Sequence, residues 1–159
     1  MSENQDAINQ VSKEIKESCL RLLARREHSQ KELLNKLLFK GFEKDDILDV
    51  IEELALQGWQ SDSRYAESYA RHRIQKGYGP LSIAYELRQN GVDEVDLEEI
   101  VQKTAGSWME LLEQVYTKKY NRDTFLDRNE WAKRCRFLMQ RGFSGTMISA
   151  LFVHLNIKL

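Results

Sequence analysis

The side chains of this chain that could do chemistry are mostly cations. Arg64, Arg71, Arg73, Lys76 and Arg88 gather around one short stretch, Gly77-Tyr78-Gly79-Pro80, and Tyr65, Tyr69, Tyr78 and Tyr85 are interleaved with them. Guanidinium and ammonium groups hold phosphates or carboxylates, and aromatic rings can stack on bases. Such a set suits a phosphate backbone or an acidic protein surface. Solvated helix faces carry mixed charge as well. At helical spacing Tyr65 and Tyr69 read more readily as core, whereas Tyr78, in a turn, is expected to be exposed. Catalytic patterns are missing: there is no phosphate-cradling glycine loop with lysine, no nucleophile elbow and no HExxH. His28, His72 and His154 lack metal-ligand spacing; His28 reads as a helix-end residue and His72 as a helix-surface one. The expectation is a binding protein, with no catalytic residue, no metal and no cofactor.

Composition agrees with a helical scaffold for those groups. Of 159 residues, 42% are apolar and 31% charged, with a single proline and eight glycines. The formal net charge of −1 argues against a globally basic DNA-binding domain, while leaving local patches open. Cys19 and Cys135 are far apart and read as buried thiols in a reduced, cytoplasmic setting. The polar start shows no signal peptide, and nowhere do about eighteen apolar residues run together, so no membrane partner is expected.

The elements that must position the cations come from apolar spacing. Residues 1–10 read as a flexible lead-in. A helix from Val11 carries Ile15, Cys19, Leu22 and Leu23. Ser29-Gln30-Lys31-Glu32 matches a capping box for a second helix with Leu33, Leu34, Leu37 and Leu38, which stops at Gly41. A third, capped by Glu43, bears Ile47, Val50, Ile51 and Leu54. Shifted by fifty, Leu33, Leu37, Gly41, Phe42, Ile47, Val50 and Ile51 fall on Ile83, Leu87, Gly91, Val92, Leu97, Ile100 and Val101. A further shift of 51 reaches Leu138, Gly142, Phe143, Ile148, Leu151 and Phe152, with Glu43, Asp93 and Ser144 as the three caps. The third copy departs at Arg134, which stands where Ile83 does. This internal repeat predicts an all-α protein of three tandem three-helix modules (11–58, 59–106 and 107–159) forming an elongated, curved repeat structure. Gly41, Gly77, Gly79, Pro80, Gly91 and Gly142 are its turn residues, with Pro80 at a first helical position.

Charge is segregated by helix. The third helices are acidic (Asp45, Asp46, Asp49, Glu52 and Glu53; then Asp93, Glu94, Asp96, Glu98 and Glu99). The first and second are basic, with Arg26 and Lys31 in the first module and Lys133 and Arg141 in the third. Candidate partner or DNA contacts are therefore Arg64, Arg71, Arg73, Lys76, Tyr78 and Arg88, joined by Arg26, Lys31, Lys133 and Arg141. A second reading makes each module a helix-turn-helix of a transcriptional regulator, which the acidic third helices oppose.

Three segments carry a family resemblance. Arg25-Arg26-Glu27-His28-Ser29-Gln30-Lys31-Glu32-Leu33 is similar to the first signature of the bacterial RecX regulatory family. Gly58-Trp59-Gln60-Ser61-Asp62-Ser63-Arg64-Tyr65-Ala66-Glu67-Ser68-Tyr69, with Lys76-Gly77-Tyr78-Gly79-Pro80 and Glu86-Leu87, resembles the central one. Phe137-Leu138-Met139-Gln140-Arg141-Gly142-Phe143-Ser144 resembles the third. Order and spacing agree from about residue 18 to 155, with Gln60 where the family often has an apolar residue. The resemblance implies a cytoplasmic, monomeric regulator of the RecA recombinase that lodges in the groove of the RecA filament on DNA and inhibits its ATPase and strand exchange. Some such proteins also bind DNA.

Overall fold

Apolar residues three and four apart, punctuated by glycines and by Ser or Asp caps, dictate helix after short helix. The computed structural model describes residues 2–159. Among them it has nine helices: α1 (Ser2–Arg25), α2 (Gln30–Phe39), α3 (Lys44–Leu56), α4 (Asp62–Gln75), α5 (Pro80–Gln89), α6 (Leu97–Ala105), α7 (Trp108–Lys119), α8 (Arg128–Gln140) and α9 (Gly145–His154). An isolated parallel bridge joins Phe125 to Lys158, and the described residues form no strand. The expected all-α repeat class is the one observed. The chain divides into two compact units, one running to Ser68 with Gln89–Asp93 added, the other made of Tyr69–Arg88 and Glu94–Leu159, so the division falls inside α4.

In the first unit α1, α2 and α3 pack on one another. Ile15 and Cys19, four apart on α1, meet Leu33 and Leu37 of α2 and Ile47, Val50, Ile51 and Leu54 of α3 in one buried cluster. The capping box is present: Ser29 Oγ accepts from the Glu32 N–H at 3.1 Å, and Glu32 accepts from the Ser29 N–H at 3.1 Å. Glu43 makes no side-chain cap bond to α3. The first helix departs from expectation. It begins at Ser2, not Val11, and residues 2–10 are exposed; Met1 lies outside the described residues. No glycine or proline interrupts that stretch, and amide pairs four apart support it, Gln5 to Asn9 at 3.1 Å and Gln10 to Glu14 at 3.2 Å. A helix this polar leaves no apolar stripe to read.

Gln60 shows why a polar residue stands at a buried position. Its Nε2 donates to the His28 carbonyl (3.2 Å) and to Asp62 Oδ1 (2.9 Å), and its Oε1 accepts from Gln30 Nε2 (3.3 Å). Asp62 Oδ1 also takes the N–H of Gln30, at the start of α2. Every polar atom of this buried amide therefore has a partner, the condition for burying one without penalty. Nearby, buried Tyr65 accepts from Asn90 Nδ2 at 2.7 Å.

The second unit holds α6 against α7, and α9 against α7 and α8. Phe152 stands edge-on to Tyr116 and Trp131, with ring centroids at 5.6 and 4.6 Å. The cap of α6 is Asp96, which accepts from the Glu99 N–H at 3.1 Å; Asp93, the expected cap, lies in the preceding loop. Asp96-Leu97-Glu98-Glu99 starts a helix better than Asp93 does, so local capping overrides the repeat spacing. Ser144 caps α9 as expected. Arg134 is buried and fully engaged, donating to Glu130 (2.9 Å), the Tyr116 hydroxyl (2.7 Å) and Asn121 (3.3 Å).

Within this unit the main chain around Gly79 crosses that around Gly142. The Gly79 N–H donates to the Arg141 carbonyl at 2.7 Å and the Leu81 N–H to the Gly142 carbonyl at 3.0 Å. Pro80, between two donors already used, is the first residue of α5 and loses nothing by lacking an N–H. Gly142 has φ +99°, and a Cβ there would run into Ser82; a Cβ at Gly79 would lie 2.5 Å from the Gly142 carbonyl oxygen. Gly79→Ala should cost about 2 kcal/mol through this overpacking, read as a lower urea midpoint at unchanged slope. Gly145→Ala, which meets open space at the start of α9, should leave stability unchanged or slightly raised.

Candidate partner-binding surface

Several of the expected contact residues hold other groups of the fold, and several are solvent-exposed. Arg73 donates to Glu86 twice, from Nε at 3.2 Å and Nη2 at 2.8 Å, and lies 3.6 Å from the centroid of the Tyr78 ring. Burial pulls its pKa down, but the Glu86 carboxylate more than compensates and holds it above the ordinary value. Arg141 flanks the same ring at 4.7 Å and donates to the Lys76 carbonyl at 2.8 Å. Tyr78, expected to be exposed in its turn, is therefore half-buried between two guanidinium groups. The sequence could not show that Arg73 and Arg141 would both converge on that ring.

Arg64 and Arg26 are also engaged. Arg64 donates to Glu27 at 3.0 Å and to the Gly58 carbonyl at 2.7 Å. Arg26 forks onto Glu32 at 2.9 and 3.2 Å and reaches the Glu27 carbonyl at 2.8 Å. Lys31, Arg71, Lys76, Arg88 and Lys133 are exposed. On α3 and α6 the exposed faces carry Asp45, Asp49, Glu52, Glu53, Glu98 and Glu99.

A cleft of about 310 Å³ opens in the second unit among the end of α4, α7 and α8. Lys76 and Arg141 reach it as expected contact residues, and Lys118 and Lys119 join them, with Phe137 in its wall. The basic pair at the end of α7 is visible in the sequence, but its approach to Lys76 and Arg141 is tertiary. Among the described residues no group of three or more His, Cys, Asp or Glu could hold a metal ion. No helix among them is long and apolar enough to cross a membrane. Burial pushes the Cys19 thiol up to about 11, which disfavours the nucleophilic thiolate.

His28, read from the sequence as a helix-end residue, is buried beside Arg26. Its Nε2 lies 2.9 Å from Lys36 Nζ and its Nδ1 3.0 Å from the Arg26 carbonyl. An ammonium only donates, so Nε2 accepts and Nδ1 carries the proton, the neutral tautomer. Burial first, then the charges of Arg26 and Lys36, hold its pKa below the ordinary imidazole value.

The described residues thus form a tandem array of three-helix repeats that presents exposed cations. Models of the first, second and third three-helix domains of RecX match residues 16–54, 61–100 and 109–152. The chain is 39% identical to the regulatory protein RecX of Legionella pneumophila (strain Corby), covering 86% of this chain and 91% of that one. It is 34% identical to the regulatory protein RecX of Halorhodospira halophila, over 88% and 87% of the two chains. The crystal structure of RecX from Lactobacillus salivarius superposes with a TM-score of 0.75 at 24% identity, covering 94% of this chain and 99% of that one, a likeness of fold. The chain belongs to the RecX family of regulatory proteins.

The neutral His28 makes a pH prediction. A folded-state pKa below the unfolded one gives full stability above about pH 6.5 and a loss as pH falls, because the unfolded chain takes up a proton that the fold resists. Urea midpoints measured from pH 8 down to about pH 5 should fall below pH 6.5, and His28→Gln should flatten that slope.

Proposed function

We propose that this protein is an inhibitor of the RecA recombinase, binding along the groove of the RecA–DNA filament and suppressing its ATPase and strand exchange in DNA repair and recombination. The observation that carries this reading is the match of three consecutive three-helix domains to one family of regulatory proteins. Taken as modules 11–58, 59–106 and 107–159, the chain brings exposed cations from each: Lys31 from the first, Arg71, Lys76 and Arg88 from the second, Lys133 from the third. Several individually weak contacts on a repeating partner gain affinity through effective concentration. Exposed charges of this kind set association rate and salt sensitivity more than bound-state affinity. In this reading the protein acts as a cytoplasmic monomer, with RecA its main partner and DNA a secondary one.

Arg73, Arg26 and Arg64 play a supporting part here, because their guanidinium groups already hold Glu86, Glu32 and Glu27. A helix-turn-helix repressor would need a basic third helix in the groove, and the exposed faces of α3 and α6 are acidic.

The test is RecA's DNA-dependent ATPase and strand exchange with and without the protein. Inhibition should saturate and weaken with added salt. Arg71→Glu/Arg88→Glu should lose about tenfold in inhibitory potency with the helical circular dichroism unchanged, two exposed contacts at roughly 0.7 kcal/mol each. Full potency in that variant would remove these two residues from the surface. An absence of inhibition by the native chain would overturn the RecA reading.

A further inference from the structure

The cleft between the end of α4, α7 and α8 adds Lys118 and Lys119, which the regulatory reading does not use, to Lys76 and Arg141. Lys76, Lys118, Lys119 and Arg141 line it, and none of its lining residues is a carboxylate. Neither Lys76 nor Lys118 forms an ion pair among the described residues. The other two cations are held by rings and a carbonyl, not by anions. Lys119 Nζ sits 3.6 Å from the centroid of Phe137, and Arg141 is fixed by the Lys76 carbonyl at 2.8 Å with Phe137 5.4 Å away. A ring quadrupole steadies a cation without neutralising it.

The ends of α4 and α7 account for lysines at those positions, since the negative end of a helix dipole favours cations in the last turn. They do not account for four cations converging on one concavity with apolar walls at Leu111, Val115 and Phe137. Gly77 keeps the concavity open, because a Cβ there would stand 3.0 Å from Val115. A concavity lined by cations and by no carboxylate presents a positive potential that favours a bound anion.

We propose that this cleft is a phosphate-binding site, taking either a backbone phosphate of single-stranded DNA or the phosphates of a free nucleotide. Three lysine point charges around a concave space suit a tetrahedral anion with several oxygens. A carboxylate is better matched by an open arginine fork, and the fork of Arg141 is partly spent on the Lys76 carbonyl. The volume, about 310 Å³, is at the small end of ligand pockets, enough for a phosphate with its sugar against the apolar wall. The inference does not depend on RecA, and its test leaves RecA out.

Fluorescence anisotropy with a labelled oligo-dT, and calorimetric titration with ATP, would be run on the full chain at about 50 and 200 mM salt. Lys76→Gln/Lys118→Gln removes two cleft cations whose ammonium groups form no ion pair among the described residues. Lys13→Gln/Lys44→Gln removes the same charge from exposed positions on α1 and α3. The cleft variant should lose about tenfold in affinity for the ligand that occupies the site, with the control within about twofold of the native chain. If that ligand is the strand, its log-log salt slope should fall by roughly 1.4, at about 0.7 per phosphate contact. Loss for the oligonucleotide alone assigns the strand backbone; loss for ATP alone assigns a free nucleotide; loss for both assigns a shared phosphate site. Equal binding by native and cleft variant, no binding of either ligand, or displacement of the oligonucleotide by poly-glutamate more readily than by polyphosphate would each overturn the proposal.

Discussion

Two main-chain hydrogen bonds, Gly79 to Arg141 and Leu81 to the Gly142 carbonyl, set much of what the second unit can present. A Cβ at Gly79 would meet the Gly142 carbonyl and one at Gly142 would meet Ser82, so both sides of the crossing need glycine. With the crossing in place, Arg141 is delivered to the Lys76 carbonyl and to the flank of Tyr78, and Arg73 closes on the same ring. The arrangement of the central cations is thus a consequence of backbone contact between segments more than sixty residues apart in sequence. A lone proline fits there because the donors on either side of it are already used.

The formal charge of −1 conceals two uses of arginine and lysine. Arg26, Arg64, Arg73 and Arg134 are bonded to carboxylates, and several also to carbonyls, hydroxyls or amides, so they fix loops and helix ends. The pairs of Arg26 and Arg73 are forked, a geometry that lysine could not reproduce. The exposed lysines form the other group. Single exposed ion pairs contribute little to stability, so those cations can differ between proteins of this fold without cost to it, and a partner is the natural thing for them to meet.

Helix order, the capping box at Ser29, the cap at Ser144 and the core leucines and isoleucines were legible in the sequence because each rests on spacing within a dozen residues, and the repeat was legible because those local patterns recur at shifts of fifty and 51. The misreadings share a cause. Asp96 outcompeted Asp93 by taking the backbone N–H three residues on, a local detail that the fifty-residue shift hid. The first turns of α1, residues 2–10, have no apolar face, and periodicity has no signal there. Tyr78 looks exposed because it lies at a chain turn, yet Arg73 and Arg141 flank its ring. Of the candidate surface, the identities of the cations were readable. Which of them are spent on carboxylates, and which converge with Lys118 and Lys119 on one cleft, is decided by tertiary approach.

The buried guanidinium of Arg134 bears on how the repeats have drifted apart. Its position in the third copy corresponds to Ile83 in the second, but its donors are committed to Tyr116, Asn121 and Glu130, two of which belong to α7 and the segment after it. An isoleucine placed there would strand that hydroxyl and amide, and an arginine at position 83 would have no such trio waiting. The second and third copies are in this way not exchangeable at that position, and swapping one for the other would join halves whose interiors do not agree.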